Sequence, residues 1–237
     1  MTTRLRLFPL SAVLFPGTVM KLHVFEPRYK QMIAECIESG ESFGIALIAE
    51  GAEAGDPAVL PHEIGSIAEI IEVAPLPFGR YLVSAIGRGR FRIREVTGRD
   101  PYLTAEVDLI EEDFVEDERS EGLADRVRAL YLEYCELVVE FSGKPISIDL
   151  SIDSQRLSFL IGEALQVGAG IKQQLLETLD TGERLDLERS FLERALPQLR
   201  ALLERSRREL EARRERGEDP SYRPAQEKFF GKFFSLN

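Results

Sequence analysis

The sequence predicts an α+β protein in which a strand-rich N-terminal half, folded as a sheet or barrel, precedes an α-helical bundle. Three observations carry this expectation. Short runs rich in β-branched residues, separated by Gly and Pro, fill the chain as far as about Asp113. From about Glu118 the apolar residues recur at helical spacing instead. At 237 residues the chain is long enough to bury a core as one large domain or two small ones, and no internal repeat points to a solenoid.

The elements follow in order. Arg4 to Phe8 and Met20 to Phe25 alternate polar and apolar residues, as half-buried strands do. Phe43 to Ala49 is an apolar run suited to a buried strand. Ser66 to Val73, Tyr81 to Ile86, Arg90 to Val96 and Tyr102 to Ile110 complete the series, with Pro75 to Gly79 as a connecting loop. One helix interrupts them. Pro27 suits its first turn, Tyr29, Met32, Ile33, Cys36 and Ile37 form its apolar stripe, and Gly40 ends it.

In the second half, Leu123, Val127, Leu130, Tyr134, Leu137, Val138 and Phe141 share one face of a long helix that stops at Ser142 to Pro145. Asp153 or Ser154 is placed to cap a helix carrying Leu157, Leu160, Ile161, Ala164 and Leu165. After a Gly168-Ala169-Gly170 break, a short helix holds Ile171, Leu175, Leu176 and Leu179. Thr181 is placed to cap a last helix running to about Arg216, with a kink expected at Pro197. Leu192, Leu196, Leu199, Leu203, Ser206 and Leu210 alternate spacings of four and three, the signature of a heptad seam. That seam packs either on the chain's own bundle or on a second copy, so self-association through this helix or the tail is an open expectation. The expected organisation is a β lobe with one helix over 1–115, a helical lobe over 116–216, and an aromatic tail over 217–237 that carries Phe229, Phe230, Phe233 and Phe234. Those phenylalanines require a docking surface, on this chain or on a partner.

Composition narrows the function. The 41 acidic residues outnumber 30 basic ones, for a formal charge of -11. This opposes bulk binding to a phosphate backbone and makes nucleic acid an unfavoured partner. No apolar stretch approaches a membrane span, and Pro9 and Pro16 break the signal-like N-terminal run. Two cysteines far apart give neither a disulfide framework nor zinc spacing, which suits a reducing cytoplasm.

Chemistry-bearing patterns are missing from the sequence. Gly143-Lys144 lacks the upstream glycine of a phosphate-binding loop and is followed by Pro145. His62-Glu63 opens like a zinc-protease motif, but Ser66 stands where the second histidine belongs. His23, the other histidine, reads as structural, and Cys36 and Cys135 sit on helices with nothing adjacent to lower a thiol pKa. The expectation is therefore no catalytic residue, no metal and no cofactor. One pattern stands out: Arg88, Arg90, Arg92 and Arg94 alternate and, on a regular strand, line one face. That face is either an anionic-ligand site, for RNA or an acidic peptide, or a solvated face paired with Glu69, Glu72 or Glu106.

The opening FPLSAVLFPGTVMKLHVFEPRYKQMI resembles the N-terminal substrate-binding domain of Lon proteases, in the version found in stand-alone bacterial proteins and in cereblon. Gly65 to Ile70, Gly87 to Ile93 and the stretch from Lys172 to Leu192 resemble further blocks of that family in the same order. The resemblance spans roughly residues 4 to 215. It implies a PUA-like β pseudobarrel followed by a helical bundle. In full Lon the last helix leads into an ATPase and a Ser-Lys peptidase domain. Neither motif set occurs in this sequence, so the resemblance implies recognition without catalysis: a module that binds unfolded or degron-bearing protein segments, as an adaptor in protein quality control. An apolar groove between barrel and bundle is expected to hold the segment, with Phe15, Pro16, Phe25, Arg28, Tyr29, Pro77 and Phe78 as candidate contacts. The competing reading puts Phe15, Phe25 and Tyr29 in the barrel core. RNA binding through the arginine strand is the alternative function.

Overall fold

The structure is a computed structural model that describes residues 2–51, 58–111, 117–143 and 149–216. The chain separates into two compact units. The first comprises Met1–Phe114 together with Ala169–Leu179, and the second Val115–Gly168 with Asp180–Asn237.

The first unit is built on β1 (Thr2–Leu10), β2 (Val19–Val24), α1 (Pro27–Ser39), β3 (Phe43–Glu50), β4 (Leu60–Pro61), β5 (Ile64–Leu76), β6 (Arg80–Gly98) and β7 (Leu103–Ile110). The sheet is mostly antiparallel, in the order β1-β7-β6-β5-β3-β4, and β1 also pairs in parallel with β3 through Leu7↔Gly44 to Leu10↔Leu47. This makes it a pseudobarrel. The two strands expected at 81–86 and 90–96 are one 19-residue strand, β6. Gly87 and Gly89 do not end it; instead its register against β5 shifts between Ser66 and Ala68, an irregularity that bends a strand without breaking it. That length lets β6 carry β2 on its first half, Val19↔Ile86 to Val24↔Tyr81, and β7 on its second.

Helix α1 follows its sequence pattern. Tyr29, Met32, Ile33 and Cys36 are buried, and Gly40 closes the helix in the left-handed region at φ 68°. Ile37 departs from the expected stripe, since half of its surface remains exposed. The α1 face packs with Phe8, Leu22, Val24, Phe43, Ala68 and Val83 in one core cluster. A second cluster gathers Leu5, Leu7, Phe91, Leu103, Ala105 and Val107.

The second unit holds α2 (Glu118–Ser142), α3 (Ser154–Ala164) and α5 (Thr181–Glu215). Asp117 and Ser120 form a capping box at the start of α2, and Asp153 caps α3. Asp180, rather than Thr181, caps α5: its carboxylate accepts from the Glu183 N–H at 2.7 Å. The buried residues of α2, namely Ser120, Ala124, Val127, Tyr131, Tyr134, Val138 and Phe141, are spaced by threes and fours. They face the α5 seam, of which Leu192, Leu196, Leu199 and Leu203 are buried. Ion pairs Arg126–Glu193, Arg200–Glu133 and Arg207–Glu140 recur at seven-residue steps in both helices. Both sets of numbers rise together, so α2 and α5 run parallel, with a heptad seam closed within the chain. Among the described residues, the seam that suggested association is thus largely covered by α2. The expected α2 face was too broad; Leu123, Leu130 and Leu137 are only half-buried.

The remaining helix, α4 (Ala169–Glu177), begins inside the Gly168-Ala169-Gly170 stretch that read as a break. It belongs to the sheet unit rather than to the helices that flank it in sequence. Gln173 explains this in part: it is buried and donates from Nε2 to the Ile64 carbonyl of β5 at 2.9 Å.

Glu188 of α5 is fully buried and neither of its oxygens accepts a hydrogen bond. Arg184, one turn earlier, is equally buried; it donates to Ser158 Oγ at 2.6 Å and Thr181 Oγ1 at 3.1 Å, and lies 4.1 Å from the Phe159 ring centre. Burial pushes the Glu188 carboxyl well above the usual range, and the nearby Arg184 offsets only part of the shift. The folded state then binds a proton that the unfolded state releases, so stability falls as pH rises above the ordinary glutamate pKa toward the folded one. Glu188→Gln removes this dependence. Its melting temperature should exceed that of the parent at about pH 8, and the gap should narrow toward about pH 5.

Candidate functional site

The site is shaped by the turn between β1 and β2. Pro16 forms a bridge with Gly87 of β6, the Gly17 N–H donates to the Gly87 carbonyl at 2.8 Å, and the Gly87 N–H donates to the Thr18 carbonyl at 2.9 Å. Thr18 Oγ1 closes the turn onto the Phe15 carbonyl at 2.9 Å, and Ser66 Oγ donates to the Leu14 carbonyl at 2.5 Å. A Cβ on residue 87 would stand 2.2 Å from the Phe15 carbonyl oxygen, so only glycine admits this approach.

With the turn pinned, the end of β1, strand β2 and the start of α1 enclose a groove of about 580 Å³. Phe8, Leu10, Met20, Leu22, Val24 and Tyr29 form its apolar surface, and Phe25 stands at its rim with half of its surface exposed. Phe8 stacks on Tyr29 with ring centres 4.0 Å apart. The Arg28 guanidinium covers Tyr29 at 4.5 Å and pairs with Glu26 at 3.0 Å. His23 lies against Phe25 at 5.7 Å between ring centres.

Of the expected contacts, this groove brings together Phe25, Tyr29 and, beside them, Arg28. Phe15 is fully buried in the turn and Pro16 is half-buried there; both shape the groove from behind rather than line it. Pro77 and Phe78 occupy the tip of the β5–β6 hairpin, outside the groove lining, as a short 3-10 turn. Phe78 is 91% exposed, holds a left-handed φ of 64°, and carries Arg80 over its ring at 5.7 Å. Sequence reasoning missed Phe8, Leu10, Met20, Leu22 and Val24 as groove residues. They alternate along strands, and the same pattern serves an enclosed core. The groove found here lies within the first unit, whereas the sequence suggested one between barrel and bundle. Phe229, Phe230, Phe233 and Phe234 lie outside the described residues.

The arginine strand does not form one exposed basic face. Arg88 is held bidentately by Glu69 at 2.8 Å through each of two nitrogens, and Arg94 pairs with Asp108 rather than Glu106. Arg90 is buried; its Nη1 donates to the Leu176 carbonyl at 2.7 Å and the Thr178 carbonyl at 2.8 Å, at the C-terminal end of α4. It satisfies carbonyls that a helix end leaves without partners. The shifted register near Gly87 is why the simple alternation of four arginines fails. Glu69 titrates below the usual carboxylate range because Arg88 bonds it, as does Asp108 beside Arg94. These pairs, together with the buried Arg90, leave the RNA reading without support.

Among the described residues no group of three His, Cys, Asp or Glu side chains is placed to hold a metal ion. No helix of the described residues is long and apolar enough to cross a membrane. The Cys36 thiol is pushed up to about 11 by burial, the opposite of a reactive cysteine.

The family model of the ATP-dependent protease La (LON) substrate-binding domain matches residues 4–194. This fold is therefore that of a substrate-binding domain, and the chain belongs to the LON substrate-binding domain family. Lon protease of Anaeromyxobacter dehalogenans is 27% identical over 186 residues, covering 78% of this chain and 22% of that protein. Lon protease of Methylocella silvestris is 29% identical over 193 residues, covering 79% of this chain and 23% of that protein. The chain thus spans less than a quarter of the length of these relatives. The crystal structure of a Lon N-terminal domain protein from Xanthomonas campestris superposes with a TM-score of 0.60 at 27% identity, over 78% of this chain and 95% of that one. The N-terminal domain of a Mycobacterium avium complex Lon protease gives 0.59 at 21% identity, over 81% and 98%; at that identity it speaks for the fold alone.

The buried Arg90 gives a direct check on how α4 is held. Arg90→Met keeps much of the volume but strips the donors from two carbonyls, and should cost roughly 2–4 kcal/mol. Urea denaturation of the variant, with Arg88→Met as the exposed control that leaves stability nearly unchanged, measures it.

Proposed function

We propose that this protein is a non-catalytic recognition module that binds exposed apolar segments of other polypeptides in the groove beside β2. The observation that carries the reading is a groove of about 580 Å³, apolar on its walls and rimmed by the half-exposed Phe25, in a chain of the LON substrate-binding family. Clefts of roughly 300–1,000 Å³ with an apolar lining and few polar groups are the usual form of a binding site. Unfolded chains differ from folded ones chiefly by their exposed apolar side chains, so an apolar groove selects for the unfolded state. An adaptor role in protein quality control, in the cytoplasm, is the setting this reading suggests.

A non-catalytic role draws support from the position of the family match, which falls on the substrate-binding domain of the relatives. Neither cysteine nor histidine lies in an activated cluster among the described residues. Purified protein is expected to leave casein and ATP unchanged. Turnover abolished by a single substitution in this chain would refute that part of the proposal.

The binding part is tested with fluorescently labelled, reduced and carboxymethylated lactalbumin, a chain held unfolded. The parent protein should bind it, and Phe25→Ala should weaken binding by roughly tenfold, the scale of one lost aromatic anchor. Its melting temperature should change little, because Phe25 is half exposed. Equal binding by parent and Phe25→Ala, or none by either, would count against the groove.

A further inference from the structure

Strand β2 pairs with β6 on one side only, and among the described residues no strand pairs with its other edge. Its register fixes which backbone groups face outward. The Gly87 N–H donates to the Thr18 carbonyl, so Thr18 and Gly87 form a hydrogen-bonded pair of the antiparallel ladder. Hydrogen-bonded pairs alternate, so Met20, Leu22 and Val24 turn their N–H and C=O groups toward β6. Val19, Lys21 and His23 turn theirs away, toward the open edge. The groove runs along this edge, since every residue from Met20 to Glu26 lines it.

Charge adds a second, independent observation. In a protein of net charge -11, three cations, one on β2 and two beside its C-terminal end, have no carboxylate partner among the described residues. Among the described residues Lys21 on β2, Lys30 on α1 and Arg80 at the start of β6 make no ion pair; Lys30 Nζ lies beside Gly79 of the hairpin tip, which adjoins the end of β2 where Val24 pairs with Tyr81. Arg80 donates to the Pro77 carbonyl and faces Phe78. Of the nearby carboxylates, Glu26 is occupied by Arg28, and Glu72 lies beyond β6, where it accepts from Ser84.

We propose that the open edge of β2 is a strand-addition site: it takes an extended polypeptide segment with apolar side chains at alternate positions and acidic residues flanking them. The segment's backbone pairs with the outward groups of Val19, Lys21 and His23. Side chains on one of its faces enter the groove over Leu22, Val24 and Tyr29, and its acidic flanks meet Lys21, Lys30 and Arg80. Main-chain pairing supplies affinity that does not depend on sequence, while the groove and the cations supply preference. This rests on the reading of the groove as a protein-segment site and adds how the segment is held and which segments are favoured.

The probes are short fluorescent peptides with an alternating leucine-valine centre, flanked by aspartate in one and by lysine in another. Two further versions of the aspartate peptide carry N-methyl groups on one or the other alternate set of amides. Fluorescence anisotropy should show the aspartate peptide binding about tenfold more tightly than the lysine peptide at low salt, with the gap closing as salt rises. One N-methylated set should lose about tenfold or more, because it faces β2, and the other should bind like the parent peptide. On the protein, Lys21→Pro deletes an outward N–H without touching the β6 ladder, and should weaken binding more than Lys21→Ala does. If both N-methylated peptides bind like the parent, strand addition is overturned while the apolar groove stands. If the lysine peptide binds as well as the aspartate one, the acidic preference is overturned. If no peptide binds and unfolded lactalbumin does not bind either, the groove reading falls together with this one. The peptide-side arms hold even if Lys21→Pro fails to fold.

Discussion

The contact between the Phe15-Pro16-Gly17-Thr18 turn and Gly87 organises the first unit. Backbone meets backbone there, with two hydrogen bonds to one glycine and no room for a side chain on it. The contact fixes where β2 begins, and so the phase in which it pairs with β6. Shifting that phase by one residue would move Leu22 and Val24 off the core face. With the phase set, Tyr29 and Phe8 stack beneath β2, and the groove opens between them and the strand edge. The same turn consumes Phe15, which is fully buried. A residue that looks like a ligand contact in the sequence is here the anchor of the turn that shapes the groove.

A comparable division of labour runs along β6. Its 19 residues join β2, β5 and β7. Arg90, at the shift in register, reaches out of the sheet to the last carbonyls of α4. A buried guanidinium is tolerated only where its donors find acceptors, and a helix C-terminus offers several at once, with a favourable dipole. Gln173, midway along the same helix, binds it to Ile64. Two polar side chains, each bonded to backbone, thereby draw Ala169–Leu179 into the sheet unit, although the segment lies in sequence between helices of the other unit.

The fold class was legible because period and length are encoded locally: Tyr29, Met32, Ile33 and Cys36 at helical spacing, Leu22 and Val24 at strand spacing, Asp117 and Asp153 at helix starts. What escaped depends on long-range register. The glycines at 87 and 89 look alike in sequence, but one meets a distant turn, while nothing stands within 4 Å of a Cβ on the other. Arginines at every second position imply one face only if the ladder is regular, and here it shifts. The heptad pattern of Leu192 to Leu203 correctly announces a partner helix, yet periodicity does not say whether that helix belongs to the same chain. The seven-residue steps of Arg126–Glu193, Arg200–Glu133 and Arg207–Glu140 answer it, and they were visible in the sequence only to a search that already knew α2 to be the partner. The groove was least legible of all, because its walls belong to the same residue set as the core.

An unpaired strand edge is a hazard that folded proteins usually blunt with charge, proline, bulges or shortness. β2 carries several of these protections. The strand is six residues long, bounded at one end by the Gly87 contact and at the other by Pro27, which opens α1. Three residues turn their backbone groups outward, which keeps the open edge short. Lys21 sits in the middle of that edge, where like charge opposes pairing with the same edge of a second copy. Under the strand addition proposed above, the cation that opposes the edge's own kind would also favour an acidic segment. A site built this way discriminates by repulsion as well as by contact, which is how specificity is commonly secured when the attractive surface is plain backbone and aliphatic carbon.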